Sequence, residues 1–416
     1  MTKRLYIGKI VNKERIWTFF LLGTAFTLSF KLNINNVFIF GLFISSLFFI
    51  KKQDNLKKSF TNPYFSVVCL WCFWNLFSLF WTEDLGQGLR VVNRMLIYFL
   101  FSISFILTGF MLTKEKIQAV FKYFIFGCLF TVSVCVLHAV YMTYDYGNVN
   151  PFAQVNGNFF SYIQFTDFLK IHPIYLAFQL LIAISLLLYH LLYRPLLPFT
   201  QSVTSFLIIF FLVILMLLNS FIVFFNLLLV VLFFLFTIKS MKVRFLMLAL
   251  IALPVLASSG FLIEKFKAIH IKEDLTQTDF SGNQFTALNA RVAKIHGTVN
   301  VIKEHFWFGV GIGDSQVELM DSYEKMGFKH GVDRTYNSHN QYLTEMLKTG
   351  IVGLILFLAV LTQQWKEALK RKDVMQFIFI MTICVFFLTE SVLERQMGVA
   401  FFGFFTFLFS FKKDKI

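Results

Sequence analysis

The stretch from Val203 to Ile238 reads VTSFLIIFFLVILMLLNSFIVFFNLLLVVLFFLFTI, 36 residues without one Asp, Glu, Lys or Arg. A helix needs about 20 largely apolar residues to cross the hydrocarbon of a bilayer. The run is close to two such lengths, with Asn219-Ser220 between the halves. It reads as two spans, or as one broken segment, of a membrane protein.

The rest of the chain agrees. Of 416 residues, 57% are hydrophobic, 58 are Phe and only 15% are charged. A soluble domain carries roughly 25% charged residues, because its surface is wet. The fold class expected is therefore an all-α polytopic membrane protein. Apolar runs recur at roughly 16–30, 37–50, 62–81, 96–112, 119–142, 173–193, 203–218, 221–238, 244–262, 342–362, 374–390 and 397–411, giving about 12 transmembrane helices. The second is short and needs tilt or flanking residues. The basic and then apolar N-terminus lacks a small-residue cleavage site and reads as the first span.

The net charge of +15 resides in short clusters between apolar runs, with no basic groove and aromatic platform of the kind nucleic acid requires. With the N-terminus inside, segments 1–15, 51–59, 113–118, 193–202, 239–244, 363–373 and 412–416 hold 22 Lys or Arg, against five in the outer loops 31–36, 82–95, 144–173 and 390–396. The asymmetry follows the positive-inside rule and puts both termini in the cytoplasm. Cys69, Cys72, Cys128, Cys135 and Cys384 all lie within apolar runs. Cys69 and Cys72 have the spacing of half a zinc site but no partner pair, so they read as small apolar residues.

One outer loop differs from the others. Ile263 to Ser338 covers 76 residues with nine Lys or Arg and ten Asp or Glu. Loops this long are usually functional. Leu288, Val292, Ile295, Val299 and Ile302 fall on one helical stripe, with Arg291, Lys294 and Lys303 off it. The expectation is a helix over Asn283–His305 packed on the outer membrane face. The organisation read from this is 1–262 as an N-terminal membrane region of about nine helices, 263–341 as the extracytoplasmic loop, and 342–416 as a C-terminal region of about three helices.

Intramembrane charges are costly and usually functional, and none sits clearly at mid-depth. The polar groups gather at the outer mouth: Arg90, Arg94, His172, Arg291, Arg334, His339, Asn340, Tyr342, Glu345, Glu390, Glu394 and Arg395. His339 stands where the polar loop turns into a membrane helix. An imidazole at the water boundary can exchange a proton near neutral pH, although a helix-capping role explains it equally from the residues alone. Arg291 has a planar fork suited to phosphate, or is simply a solvated side chain on an amphipathic helix. Gly309-Val-Gly311-Ile-Gly313 lacks the strand, helix and Lys-Ser/Thr ending of a nucleotide loop and reads as a sharp turn between two loop helices.

Three strings together resemble the O-antigen ligase and O-antigen polymerase family of membrane glycosyltransferases. They are Arg291 followed by Phe306-Trp-Phe-Gly309-Val-Gly311-Ile-Gly313, Ser338-His339-Asn340-Gln-Tyr342-Leu343 with Gly350-Ile-Val-Gly353-Leu354, and Trp81-Thr-Glu83-Asp84 through Arg94. The signature region is approximately 203–362. The resemblance implies a GT-C-like architecture in the bacterial inner membrane with the site facing the periplasm. It also implies transfer of a glycan from undecaprenyl pyrophosphate to an acceptor hydroxyl, without nucleotide sugar, metal or other cofactor. The acceptor is lipid A core for a ligase and a growing glycan for a polymerase. By position, His339 acts on the acceptor hydroxyl and Arg291 holds the pyrophosphate, with Arg334, Asn340, Tyr342, Arg94 and Lys294 as further substrate-binding candidates. Two departures stand out. Phe306 occupies a position that is usually Pro, and Ser220-Phe221 lacks the family's second arginine, for which Arg334, Arg94 or Lys294 are the candidate substitutes. A transporter or flippase, and a non-catalytic assembly partner, are the competing classes; the first is weakened by the lack of mid-depth charges.

Overall fold

The computed structural model describes residues 2–30, 32–50, 61–145, 159–193, 196–238 and 287–412. Every regular element among them is helical. The first part of the chain forms α1 (Thr2–Thr27), α2 (Leu32–Ser46), α3 (Pro63–Phe77), α4 (Leu85–Thr108), α5 (Lys114–Asp145) and the short α6 (Tyr162–Thr166). Next come α7 (Pro173–Leu192), α8 (Gln201–Leu218) and α9 (Phe221–Thr237). The long loop between α9 and the last three helices contributes α10 (Ala287–Glu304), α11 (Ser315–Lys325) and α12 (Lys329–Asp333), before α13 (Gln341–Arg371), α14 (Val374–Phe387) and α15 (Gln396–Phe411).

Of the twelve expected spans, six are met by helices long and apolar enough to cross a membrane: Pro63–Trp81, Leu85–Met111, Lys114–Asp145, Pro173–Leu192, Gln201–Leu218 and Gln341–Arg371. The runs at 37–50, 221–238, 374–390 and 397–411 are met by shorter apolar helices, and 16–30 forms the apolar half of α1. The run at 244–262 lies outside the described residues, as do 51–59 and the loop segment 263–286. Asn219, left-handed at φ 47°, ends α8 and accounts for the break between α8 and α9.

The bundle is centred on α7 and α15, whose residues are buried almost throughout. Lipid tails are as apolar as side chains, so close packing rather than hydrophobicity must hold such helices together. In α15 that packing is aromatic. Phe405 meets Phe124 edge-on at 5.1 Å and Phe401 at 5.0 Å. At one end of the bundle, Arg371 donates to the carbonyls of Phe409, Ser410 and Lys412, and so covers the unpaired C-terminus of α15.

At the other end, α13 is broken at Gly350 (φ 67°, ψ −168°), a conformation open essentially only to glycine. The break frees backbone groups, and in a membrane each must find a partner within the protein. The outer loop supplies them. Val310 N–H donates to the Leu347 carbonyl and Gly311 N–H to that of Lys348, both at 2.9 Å. Ile351 N–H donates to the Phe306 carbonyl at 2.9 Å, and the Trp74 indole to that of Thr349 at 3.0 Å. Gly309 (φ 70°) and Gly311 (φ 96°) make the turn expected of the glycine string. The Asp314 carboxylate then accepts from the backbone N–H groups of Glu83 and Asp84, both at 2.8 Å. The three strings singled out in the sequence thus dock on one another.

The expected loop helix is α10, but its buried face is not the expected one. Ile295 is 45% exposed and Lys294 is buried, along with Ala293, Gly297, Thr298, Val301 and Ile302. The reason is steric. Gly297 lets the Tyr323 ring of α11 lie directly against the α10 backbone, where any Cβ would collide with it. A small-residue strip therefore turns inward, and an isoleucine turns outward. A second apolar core of Ala293, Val301, Ile302, Leu319, Tyr323 and Phe328 forms beneath it.

Gly350→Ala is expected to destabilise the detergent-solubilised protein by about 1–3 kcal/mol from backbone strain alone, and further because the new Cβ would strike the Trp307 carbonyl. Thermal unfolding checks this, with Gly86→Ala, on an exposed helical turn, expected to leave the midpoint unchanged or higher.

Candidate functional site

The site is assembled on the segment Thr335 to Glu345. Asn337 accepts the His339 N–H on its side-chain oxygen at 3.0 Å, a local turn that holds His339 left-handed at φ 47°. Asn340 then caps α13, accepting from Leu343 N–H at 3.0 Å. The buried hydroxyls of Ser338, Thr344 and Ser391 bond to one another at 2.6, 2.8 and 3.3 Å. Asn340 Nδ2 donates to the Leu388 carbonyl at 3.1 Å, and Leu393 N–H donates to the Gln341 amide oxygen at 2.8 Å. These contacts staple the turn after α14 to the start of α13.

The consequence is a histidine–carboxylate pair: His339 Nδ1 lies 3.4 Å from Glu390 Oε2. On its other side, the Tyr336 ring meets the His339 ring edge-on at 5.9 Å. The Lys294 ammonium sits 4.6 Å above the Tyr336 ring centre, within cation–π range. Burial pulls the Lys294 ammonium down to about 8, with Glu390 opposing and Arg291 reinforcing the shift. Arg291 is exposed one turn earlier on α10.

The segment from α6 to the start of α7 closes the surroundings. The Tyr162 phenol is pushed up by burial and further by Glu390, while Arg291 pulls it down. His172 is held below the usual imidazole range by desolvation. Glu390 works against that shift, and Arg395 and His339 add to it. Glu390 is therefore the common electrostatic neighbour of residues from α10, the loop before α7, and the loop before α13. Arg291 and His339, 48 positions apart in the sequence, come to the same end of the bundle around it.

Other candidates have different partners. The Arg94 guanidinium pairs with Glu394 at 3.3 Å, and Glu394 also binds Lys348. Burial pushes the Glu394 carboxyl up, but Lys348 and Arg94 outweigh it and hold it below the usual range. Arg94 is thus engaged beneath the site. Asn340 is occupied by its cap and the Leu388 carbonyl. Tyr342 donates its hydroxyl to the Cys384 carbonyl at 2.9 Å and packs its ring against Phe357 and Phe387. Both build the site's frame. Arg334 is exposed at the end of α12. Where the second arginine is missing, Phe221 is 53% exposed, and the buried Ser220 hydroxyl has no hydrogen-bond partner among the described residues.

The sequence reading placed Glu390, His172 and Arg395 at the outer mouth without a role. The only sequence signal was three titratable residues (Glu390, Glu394, Arg395) crowded into a short outer loop. Pairing with His339 is invisible there, because 50 residues and two helices intervene.

Residues 203–358 match a sequence family described as O-antigen ligase. No curated protein matches the chain. The matched region runs from α8 into α13 and contains Arg291, Lys294, the glycine turn, His339 and the break at Gly350. That region, set around a histidine at the mouth of a membrane helix, is thus similar to the O-antigen ligase and polymerase family.

Proposed function

We propose that the protein is an O-antigen ligase, a glycosyltransferase that moves a glycan from undecaprenyl pyrophosphate to a hydroxyl of lipid A core at the periplasmic face of the inner membrane. The observation that carries this reading is the His339–Glu390 pair lying beside Lys294 and Arg291. Arg291 and Lys294 neutralise the diphosphate of the donor, Lys294 taking the place of the missing second arginine. Glu390, 3.4 Å from His339 Nδ1, favours the proton on that nitrogen and thereby leaves Nε2 as the basic nitrogen. Nε2 removes the proton of the acceptor hydroxyl as its oxygen bonds to the anomeric carbon. The bond from that carbon to the carrier phosphate breaks, and its electron pair leaves on the pyrophosphate oxygen. Pyrophosphate is a good leaving group, so positioning and charge neutralisation carry much of the work.

His339→Ala is expected to lower transfer by about 10²–10⁴-fold, the usual worth of a positioned acid–base group. Glu390→Gln should fall between it and wild type. Arg291→Lys should fail as well, since an ammonium cannot make the two-point contact of a guanidinium. The assay is complementation of a deletion strain, read on gels of extracted lipopolysaccharide. A ligase defect leaves bare core with long chains retained on the carrier, whereas core bearing a single repeat unit would identify a polymerase. Full complementation by His339→Ala would overturn the catalytic assignment.

The charge on Lys294 gives the reaction a basic limb. The ammonium holds an anion only while protonated, so transfer should decline as pH rises through about 8. Lys294→Arg should extend the plateau to higher pH, and a pH profile unchanged in that variant would remove Lys294 from donor binding.

A further inference from the structure

A cavity of about 520 Å³ is lined in part by His172, whose imidazole feels both His339 and Glu390, and is used by nothing in the reaction as described above. Its polar lining comes from four separate places: Asn33 at the start of α2, Asp167 and Lys170 after α6, His172 before α7, and Arg395 with Gln396 at the start of α15. The volume is in the range of small-ligand sites and suits one or two sugar rings. His172 is the link to the reacting pair, since it feels Glu390, Arg395 and His339 together. Tyr162, which feels Glu390 and Arg291, is followed directly by Ile163 in the cavity wall.

The lining has a distinct chemical character. Among the described residues, Lys170 and Arg395 are its cations and Asp167 its one carboxylate. Both cations line the cavity and are exposed rather than buried in the bundle. Gln396 donates its amide N–H to Asn36 at 2.8 Å, which leaves its carbonyl oxygen to accept from a ligand hydroxyl. The N-terminal ends of α7 and α15, helices of 20 and 16 residues, open on the same space and add a small positive potential. The donor's cations, Arg291 and Lys294, belong to α10 instead, so the two cationic sets reach the His339–Glu390 pair from different elements.

We infer that this cavity is the acceptor subsite and that it selects an acceptor sugar bearing a phosphate or carboxylate group, through Arg395 and Lys170, while Asn33, His172 and Gln396 meet its hydroxyls. The inference rests on the transferase reading for the word acceptor. The ligand chemistry rests on the cavity alone.

The test uses the full-length protein in phosphatidylcholine nanodiscs, with equilibrium binding of glucose 6-phosphate, glucuronate, glucose and inorganic phosphate. Both charged sugars should bind at least about tenfold more tightly than glucose, the scale of one hydrogen bond to a charged group, and glucose 6-phosphate more tightly than phosphate. Arg395→Gln and Lys170→Gln should each reduce that preference, the double variant should abolish it, and His339→Ala should preserve it. Glucose binding as tightly as the charged sugars, or a preference that survives the double variant, would overturn the assignment. So would phosphate binding as tightly as glucose 6-phosphate. Repetition in discs containing phosphatidylglycerol separates lipid from sugar: displacement of the sugars by that lipid would make the cavity a headgroup site and overturn the inference. Unchanged lipopolysaccharide in the deletion strain would defeat the transferase reading and leave the binding result standing. Transfer that needs His339 without any charged-sugar preference would defeat the subsite alone.

Discussion

Two backbone hydrogen bonds, from Val310 and Gly311 to the carbonyls of Leu347 and Lys348, hold the outer loop in the break of a membrane helix. An unsatisfied backbone group in hydrocarbon costs several kcal/mol, so neither partner is stable at that place without the other. The break at Gly350 gives the loop its anchor, and the loop makes the break tolerable. Once that joint is made, α10 has a defined position over the start of α13, and Lys294 reaches Tyr336 beside His339. The candidate site residues are therefore carried by a loop whose register is set inside the bundle.

The carboxylates near the site divide the cations between frame and chemistry. Glu394 takes Arg94 and Lys348 and locks α4, α13 and the turn before α15 together. Glu390, four residues earlier, faces His339. A buried ion pair is weak evidence for stability, since desolvation offsets much of its attraction. Its worth here is geometric, because it keeps the turn that carries Glu390 where the hydroxyls of Ser338, Thr344 and Ser391 can clasp it.

Much of the frame was legible in the residues. The glycine string read as a turn and is one, because positive φ at Gly309 and Gly311 is a local demand that only glycine meets cheaply. A loop helix over Asn283–His305 was legible from its periodicity, but its inward face was not. Periodicity counts apolar residues, whereas α10 buries Ala293, Gly297 and a lysine because Tyr323 needs close approach. Asn340 and Tyr342 were legible as important, and packing adds what the sequence could not show: the N-cap of Asn340 and the bond of Tyr342 to the Cys384 carbonyl serve the frame.

From its residues alone, this chain is a helical membrane protein with a polar outer loop and a histidine at the loop's exit. Those are local properties: a spanning helix satisfies its own backbone within one apolar run, and no distant residue need be known. Which charges meet is a different matter. Glu390 pairs with His339 rather than Arg94, and Arg395 faces a cavity beside them, only because α13, α14 and α15 pack with their outer ends together. Electrostatic partnership depends on distances of a few ångströms between segments tens of residues apart, and packing alone sets those distances.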